Sequence, residues 1–443
     1  MEIVRTKYGQ IRGVQKGKYT FFGGIPYAAP PVGELRFRKP REVESWEGIY
    51  EANAFPARPI QEEPLENSFY YKEFYGESLY DTAQSEDCLY LNIWTPSENA
   101  GEKRPVAFWI HGGGFSHGYG HEKEFDGEEF CKRGVILVTI NYRLGIFGFL
   151  AHPWLSEESG GISGNYGIFD QIAALKWTYE NISAFGGDPE NITVFGQSAG
   201  SLGVQTLVSS NLTGSMISKA IMQSAGGYKN HVCPDRTLKD MEEFGCRILQ
   251  RMEIASLKEL RETEGKKLQK KWSVYEKEFV RDYNGMVMAP CQDGVLLNGD
   301  FDSLVENGTV KDIPYMLGST SNDIKLQGDS QIAPGKGTLQ RGCAKWSLMQ
   351  EKLGRKASYV YYFDGVLKGD HAGAFHSSEL WYMFGTLERS WRPKTEGDYR
   401  LSNIMLDYWT DFMKTGVPRT EEGKWPPYTK ENTYIEILCE QES

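Results

Sequence analysis

Long apolar runs, basic clusters, internal repeats and low-complexity stretches are all missing from this 443-residue chain. The longest apolar stretch, residues 135–151, is interrupted by Asn141 and Arg143, so it reads as a buried strand and its turn rather than a membrane span. The start, Met1-Glu2-Ile3-Val4-Arg5, enters a strand pattern without a charged and apolar leader, and no signal peptide is expected. Lysine and arginine total 49 against 60 aspartates and glutamates; the net charge of −11 argues against a nucleic-acid surface and favours solubility. Cysteine is scarce: seven, an odd number and widely spaced, fit a reducing compartment better than a disulfide framework. Neither nucleic acid nor membrane is therefore expected as a partner.

What is present is core material and glycine. A 40% hydrophobic share leaves ample core, and 13% aromatics suit an apolar pocket, although core packing must absorb most of them. Among the glycines, Gly196-Gln197-Ser198-Ala199-Gly200 stands out. It follows the strand-like residues 192–195, and residues 201–208 can continue as a helix, so Ser198 falls on a strained strand-to-helix turn. Side chains at 196 and 200 would collide across such a bend, while the helix N-terminus and the Ala199 N–H favour an oxyanion there. Upstream, His111-Gly112-Gly113-Gly114-Phe115 follows the strand-like residues 106–110. A glycine triplet leaves its N–H groups unshielded, which makes Gly113 and Gly114 co-donors with Ala199.

These two halves, in this order, resemble an α/β-hydrolase: a large, mostly parallel central sheet flanked by helices, with nucleophile, acid and histidine in that sequence along the chain. After Ser198 only His231, His371 and His376 remain. The strand-like residues 313–318 lead to a loop carrying Asp323, and residues 359–363 lead to the loop with His371 and His376. Spacing does not choose between those two histidines.

Further segments carry a more specific resemblance. They include Phe22-Gly23-Gly24-Ile25-Pro26-Tyr27-Ala28, Leu35-Arg36-Phe37, Glu86-Asp87-Cys88-Leu89-Tyr90-Leu91-Asn92-Ile93, Asn141-Tyr142-Arg143-Leu144-Gly145 and Phe185-Gly186-Gly187-Asp188-Pro189. With the two glycine motifs they resemble the type-B carboxylesterases, the family that also holds cholinesterases and bacterial para-nitrobenzyl esterases. The resemblance spans essentially the whole chain and implies a single domain over 1–443, with a helical cap over about 229–290. It implies Ser198 as nucleophile and places the acid on Asp323, where the family's usual Glu is replaced by Asp and its following glycine by Ile324. The histidine of the family's G-A-x-H segment falls on His376 in Gly373-Ala374-Phe375-His376, which leaves His371 as a loop residue.

The implied reaction is hydrolysis of a small-molecule carboxylic ester through an acyl-enzyme, with Gly113, Gly114 and Ala199 as the oxyanion hole. It needs no metal or organic cofactor. Phe115, Gln197 and Phe375 are expected to line the substrate pocket, and the Gly/Ser/Pro-rich residues 327–337 to border it as a mobile segment. Cys88 is the first cysteine, so it lacks the earlier partner with which secreted relatives close a disulfide loop. That points to a cytoplasmic, bacterial-type member, a monomer or small homo-oligomer. A feruloyl or acetyl-polysaccharide esterase would share every catalytic residue named, whereas non-catalytic binding relatives typically lack the serine. A cholinesterase is not expected, since the neutral Gln197 stands where that branch has a glutamate.

Overall fold

The computed structural model of the chain describes residues 2–77, 79–282, 285–326, 329, 334–420 and 423–440. Ten strands form the central sheet. In chain order they are β1 (Val14–Lys16), β2 (Tyr19–Pro26), β3 (Tyr90–Thr95), β4 (Arg104–Ile110), β5 (Ile136–Ile140), β6 (Gly187–Gln197), β7 (Lys219–Gln223), β8 (Tyr315–Thr320), β9 (Ser358–Phe363) and β10 (Glu436–Leu438). In space they run β10-β9-β8-β7-β6-β4-β5-β3-β2-β1. Every pairing from β10 to β5 is parallel, and β3, β2 and β1 complete the other edge antiparallel.

Parallel strands need crossovers, and helices supply them. The helices include α1 (Phe69–Phe74), α2 (Tyr166–Asn181), α3 (Ala199–Ser209), α4 (Leu238–Arg251), α5 (Gly265–Asp282), α6 (Thr338–Lys352), α7 (Glu379–Met383) and α8 (Glu396–Thr415). Both faces of the sheet are covered, which explains why the inner part of a central strand, such as residues 106–110 of β4, is apolar on both faces rather than alternating. Along β4, Val106, Phe108 and Ile110 enter one core cluster while Ala107 and Trp109 enter the other, as the two-residue strand period requires.

The apolar stretch 135–151 is only partly strand. β5 ends at Ile140, and the chain then folds into a short helix, Gly145–Phe149. Periodicity cannot separate the two because both are buried on all sides. The break is made by Arg143, whose backbone N–H and side-chain Nε both donate to Asp170 Oδ2 at 3.0 and 2.8 Å, with Nη2 on Oδ1 at 2.7 Å. Between β7 and β8 lie α4, the helix Leu257–Glu262 and α5. Arg36 ties this region to the N-terminal part of the chain: it pairs with Glu86 at 2.5 Å and donates from Nη1 to the carbonyls of Leu260, Arg261 and Thr263 at 3.1, 2.8 and 2.6 Å. All seven cysteines are free thiols, Cys88 among the buried ones. Among the described residues no helix is long and apolar enough to cross a membrane.

The Arg143–Asp170 pair is enclosed, its side chains 4% and 0% exposed. Replacing one partner of such a pair strands the other charge in a low dielectric, which costs about 3–5 kcal/mol. Arg143→Met is therefore expected to lower the urea unfolding midpoint markedly, whereas Lys132→Met, at an exposed ion pair, is expected to leave it nearly unchanged. Equal midpoints for the two variants would show that the buried pair does not hold this junction.

Candidate active site

Four loops leave the carboxyl ends of β4, β6, β8 and β9 on one rim of the sheet, where open α/β folds accommodate ligands. Ser198 follows β6 with φ 55° and ψ −126°, a conformation that costs a non-glycine residue on the order of 1–3 kcal/mol. Its N–H donates to the Gln223 carbonyl at 2.9 Å. The turn closes only because its neighbours have no side chains. A Cβ at Gly196 would stand 2.6 Å from the Gly200 carbonyl carbon, and one at Gly200 would stand 2.0 Å from the Ile110 oxygen. The first clash is the one the sequence pattern anticipates; the second, against the end of β4, is a tertiary contact.

The glycine segment after β4 passes directly over the serine. A Cβ on Gly112 would meet the Gln197 carbonyl oxygen at 2.9 Å and Ser198 Cβ at 3.2 Å. Gly113 has φ 94°, and a Cβ there would lie 2.1 Å from the His117 oxygen. The Gly113 carbonyl accepts from Ser116 and His117 N–H at 3.0 and 2.9 Å, which fixes the loop with Gly113 and Gly114 beside Ser198 in one cavity. Ala199 opens α3, so its N–H belongs to the first helical turn and has no intrahelical acceptor. His111 holds the segment from below: its ring stacks on Tyr142 at 4.4 Å, and burial pushes its pKa down to about 4, so it is neutral at ordinary pH.

Asp323 and His376 meet at 2.5 Å, Oδ1 to Nδ1. Since an ionised carboxylate only accepts, Nδ1 carries the proton and Nε2 presents a lone pair. The remaining acceptor sites of Asp323 are also filled: Oδ2 receives the Thr320 N–H at 2.9 Å and Oδ1 the Ile324 N–H at 2.7 Å. Backbone contacts between the two loops set this approach, with Asn322 N–H donating to Ala374 O at 3.0 Å and Asn322 Nδ2 to Ala372 O at 2.7 Å. Burial pushes the Asp323 carboxyl up, but the neighbouring imidazole overrides it and holds the acid below its ordinary value. Burial likewise pushes His376 down, and the Asp323 charge outweighs it, so the imidazole titrates above its ordinary value. His371 and His231 are exposed, and neither is among the residues lining the cavity that holds Ser198 and His376.

Gln197, Ser198 and His376 line the same cavity, of about 460 Å³. The Gln197 amide nitrogen stands 3.2 Å from His376 Nε2 and donates to its lone pair. Among the described residues no hydrogen bond joins Ser198 Oγ to the imidazole. Phe115 and Phe375, expected to line the pocket, are packing residues behind it. Phe115 is wholly buried against Phe149, ring centroids 4.9 Å apart. Phe375 packs edge-on to Phe69 at 4.9 Å and beneath the Arg392 guanidinium at 5.1 Å. Both positions are turned into the core by the loops that carry them. Of the segment 327–337, residues 327, 328 and 330–333 lie outside the described residues.

Sequence reasoning did not find several cavity residues: Gln61, Tyr70, Phe74 and Tyr75 from the region of α1, and Glu122 and Glu124 beyond the glycine loop. The aromatic run Phe69-Tyr70-Tyr71 was a signal, but nothing local said that it would reach a serine far along the chain. Ile324, standing where the resemblance expects glycine, also lines the cavity. Arg392 braces this wall, with Nε on Glu73 Oε1 at 2.9 Å and Nη1 on Asp370 Oδ1 at 2.7 Å.

Comparison with known proteins gives this geometry a context. Residues 1–342 and 337–443 match the profile of the carboxylesterase family. The chain is 33% identical to a para-nitrobenzyl esterase of Bacillus subtilis (strain 168), the match covering 99% of this chain and 94% of that protein. It is 32% identical to a fumonisin B1 esterase of Sphingopyxis macrogoltabida, over 96% of this chain and 84% of that one. Among solved structures, a thermophilic PNB esterase superposes with a TM-score of 0.87 at 29% identity, over 99% of this chain and 96% of the other.

Proposed function

The chain belongs to the carboxylesterase family and is a carboxylic ester hydrolase, and within that activity we propose that it works through an acyl-enzyme on Ser198. The observation that carries this reading is the buried Asp323–His376 contact in the cavity that also holds Ser198, Gly113 and Gly114. In the proposed reaction the Gln197 amide first leaves His376 Nε2, which then takes the proton of Ser198 Oγ as the oxygen bonds to the ester carbonyl carbon. The N–H groups of Gly113, Gly114 and Ala199 receive the resulting oxyanion. Collapse of the tetrahedral intermediate breaks the bond to the alcohol oxygen, and His376 returns its proton to that leaving group. Water repeats the sequence: His376 takes its proton, the hydroxyl adds to the acyl carbon, and the acid departs as Ser198 is reprotonated. Asp323 keeps Nδ1 protonated and stabilises the imidazolium.

The same reading places the enzyme in a reducing, cytoplasmic setting, supported by its free and mostly buried thiols. An ester small enough for a cavity of about 460 Å³ is the substrate class.

Ser198→Ala is expected to abolish both ester hydrolysis and organophosphate labelling with the circular-dichroism spectrum retained; labelling that persists in the variant would remove Ser198 from its role. Asp323→Asn is expected to lower kcat roughly 10³- to 10⁴-fold, because the imidazole then takes the wrong tautomer. His376→Ala is expected to be comparably impaired and His371→Ala close to wild type, a ranking that steady-state assays on para-nitrophenyl butanoate decide.

The pH profile has a definite sign. The general base must be neutral, and Asp323 raises its pKa above the ordinary 6.5, so kcat/KM is expected to climb with pH to a plateau through a midpoint above 6.5. Buried Glu379 is pushed up to about 7 by its burial and by the Asp323 charge, and it couples to the same titration, so the midpoint belongs to the group. In the residual activity of Asp323→Asn the acid limb is expected to move to lower pH. A limb that stays in place would mean that another group is the base.

A further inference from the structure

Glu122 and Glu124 lie in the wall of the cavity that holds Ser198, and the reaction proposed above makes no use of them. They are 6% and 2% exposed. Glu122 Oε1 accepts from the Tyr75 hydroxyl at 2.8 Å. Glu124 Oε2 is fully buried, and no N–H or O–H of the described residues donates to it. Burial and the charge of the neighbouring Glu122 both push the Glu124 carboxyl up. Neither carboxyl has a cationic partner among the described ion pairs. Lys123, between them in sequence, turns elsewhere: its ammonium pairs with Glu77 at 3.3 Å and stands 5.7 Å from the centre of the Trp381 ring.

Two buried carboxyls with no ion-pair partner, and with only a weak pull from Lys123 on Glu124, are costly to keep ionised, and packing or a ligand must account for them. Packing alone is a poor account here, because both residues belong to the wall of the cavity in front of Ser198, Glu122 being the less enclosed of the two. Beside them Phe74 stacks on Trp381 at 5.4 Å, Phe125 packs against Trp109 and Phe384, and Tyr75, bonded to Glu122, is the aromatic neighbour of the pair. Burial, and for Glu124 the charge of Glu122, pushes the pair up, Glu122 to about 7, which leaves it holding a proton that an incoming cation can replace.

We propose that Glu122 and Glu124 form a cation subsite of the catalytic cavity, and that the esters this enzyme favours carry an alkylammonium group. The proposal rests on Ser198 being the nucleophile in that cavity. The neutral Gln197 beside the serine does not argue against a cationic substrate, because the negative charge comes from a different segment of the chain, immediately beyond the oxyanion loop.

The test compares matched ester pairs in which a terminal ammonium replaces a methyl group. On the alcohol arm, ω-aminoalkyl butanoates of graded chain length are set against the corresponding alkyl butanoates; on the acyl arm, butyl ω-aminohexanoate is set against butyl heptanoate. In the wild-type enzyme kcat/KM for the ammonium ester is expected to exceed that for its neutral match by at least about tenfold on one arm, which also tells which arm reaches the subsite. Glu124→Gln and Glu122→Gln are each expected to bring that ratio to within about threefold of one, the neutral ester reporting the state of the hydrolytic machinery in every variant. Hexylammonium is expected to compete with hexyl butanoate at least about tenfold better than hexanol, a wild-type measurement that does not depend on whether a variant folds. Ratios near or below one on both arms, together with equal inhibition by hexylammonium and hexanol, overturn the proposal, as does a preference for polyol esters over both members of each pair. Were neither ester cleaved and Ser198 not labelled, the nucleophile assignment would fail instead, and calorimetric binding of hexylammonium would still decide the subsite.

Discussion

The closeness of β4 and β6 at their carboxyl ends is the constraint from which the site is built. With Gly200 against the Ile110 carbonyl, and Gly196 against Gly200, the chain can reverse from strand to helix within one residue. Only that tight a turn lifts Ser198 clear of the sheet at the head of α3. The same proximity carries the glycine segment over the serine, since Gly112 continues from β4 at contact distance from Ser198 Cβ. Two elements distant in sequence are thus brought together by one pair of parallel strands. The strained backbone of Ser198 is held because the sheet on one side and the helix on the other leave it no alternative.

The candidate acid and base obey a second constraint of the same kind. Asp323 and His376 sit on loops after neighbouring strands, β8 and β9, and the Asn322 contacts to Ala372 and Ala374 join the loops before any side chain is considered. The 2.5 Å bond between them is therefore the product of backbone geometry. Asp in place of the family's Glu asks for a shorter reach, and that reach is met by the loop lying close. Three buried arginines are held in a common way, through several hydrogen bonds to carboxylates: Arg143 with Asp170, Arg36 with Glu86, and Arg392 with buried Glu73 and exposed Asp370.

Against that pattern, Glu122 and Glu124, like Glu379 and Asp398, lie buried with no ion-paired lysine or arginine among the described residues, and of these four only Glu122 and Glu124 line the cavity. A cavity wall is the one buried place where an unmatched charge has a chemical use, since a ligand can complete it. The place of Glu122 and Glu124 among aromatic side chains makes the cavity in front of Ser198 amphipathic rather than uniformly apolar.

The chain by itself determined the fold class, the carboxylesterase family resemblance and the candidate nucleophile, oxyanion donors, acid and base. Each of these rests on a local requirement: glycine where a side chain would clash, an apolar strand ahead of a turn, a fixed order of functional groups. Choosing His376 over His371 already needed the family motif, because spacing alone treated both loops alike. The walls of the cavity were decided only by tertiary structure. Phe115 and Phe375 looked like lining residues by adjacency to the motifs, yet both side chains point into the packing behind, while Tyr70, Phe74, Glu122 and Glu124 arrive from segments with no local mark of their destination. A motif records what one turn of backbone must contain; which side chains face a cavity depends on how several loops pack against one another, and that information is spread over the whole chain.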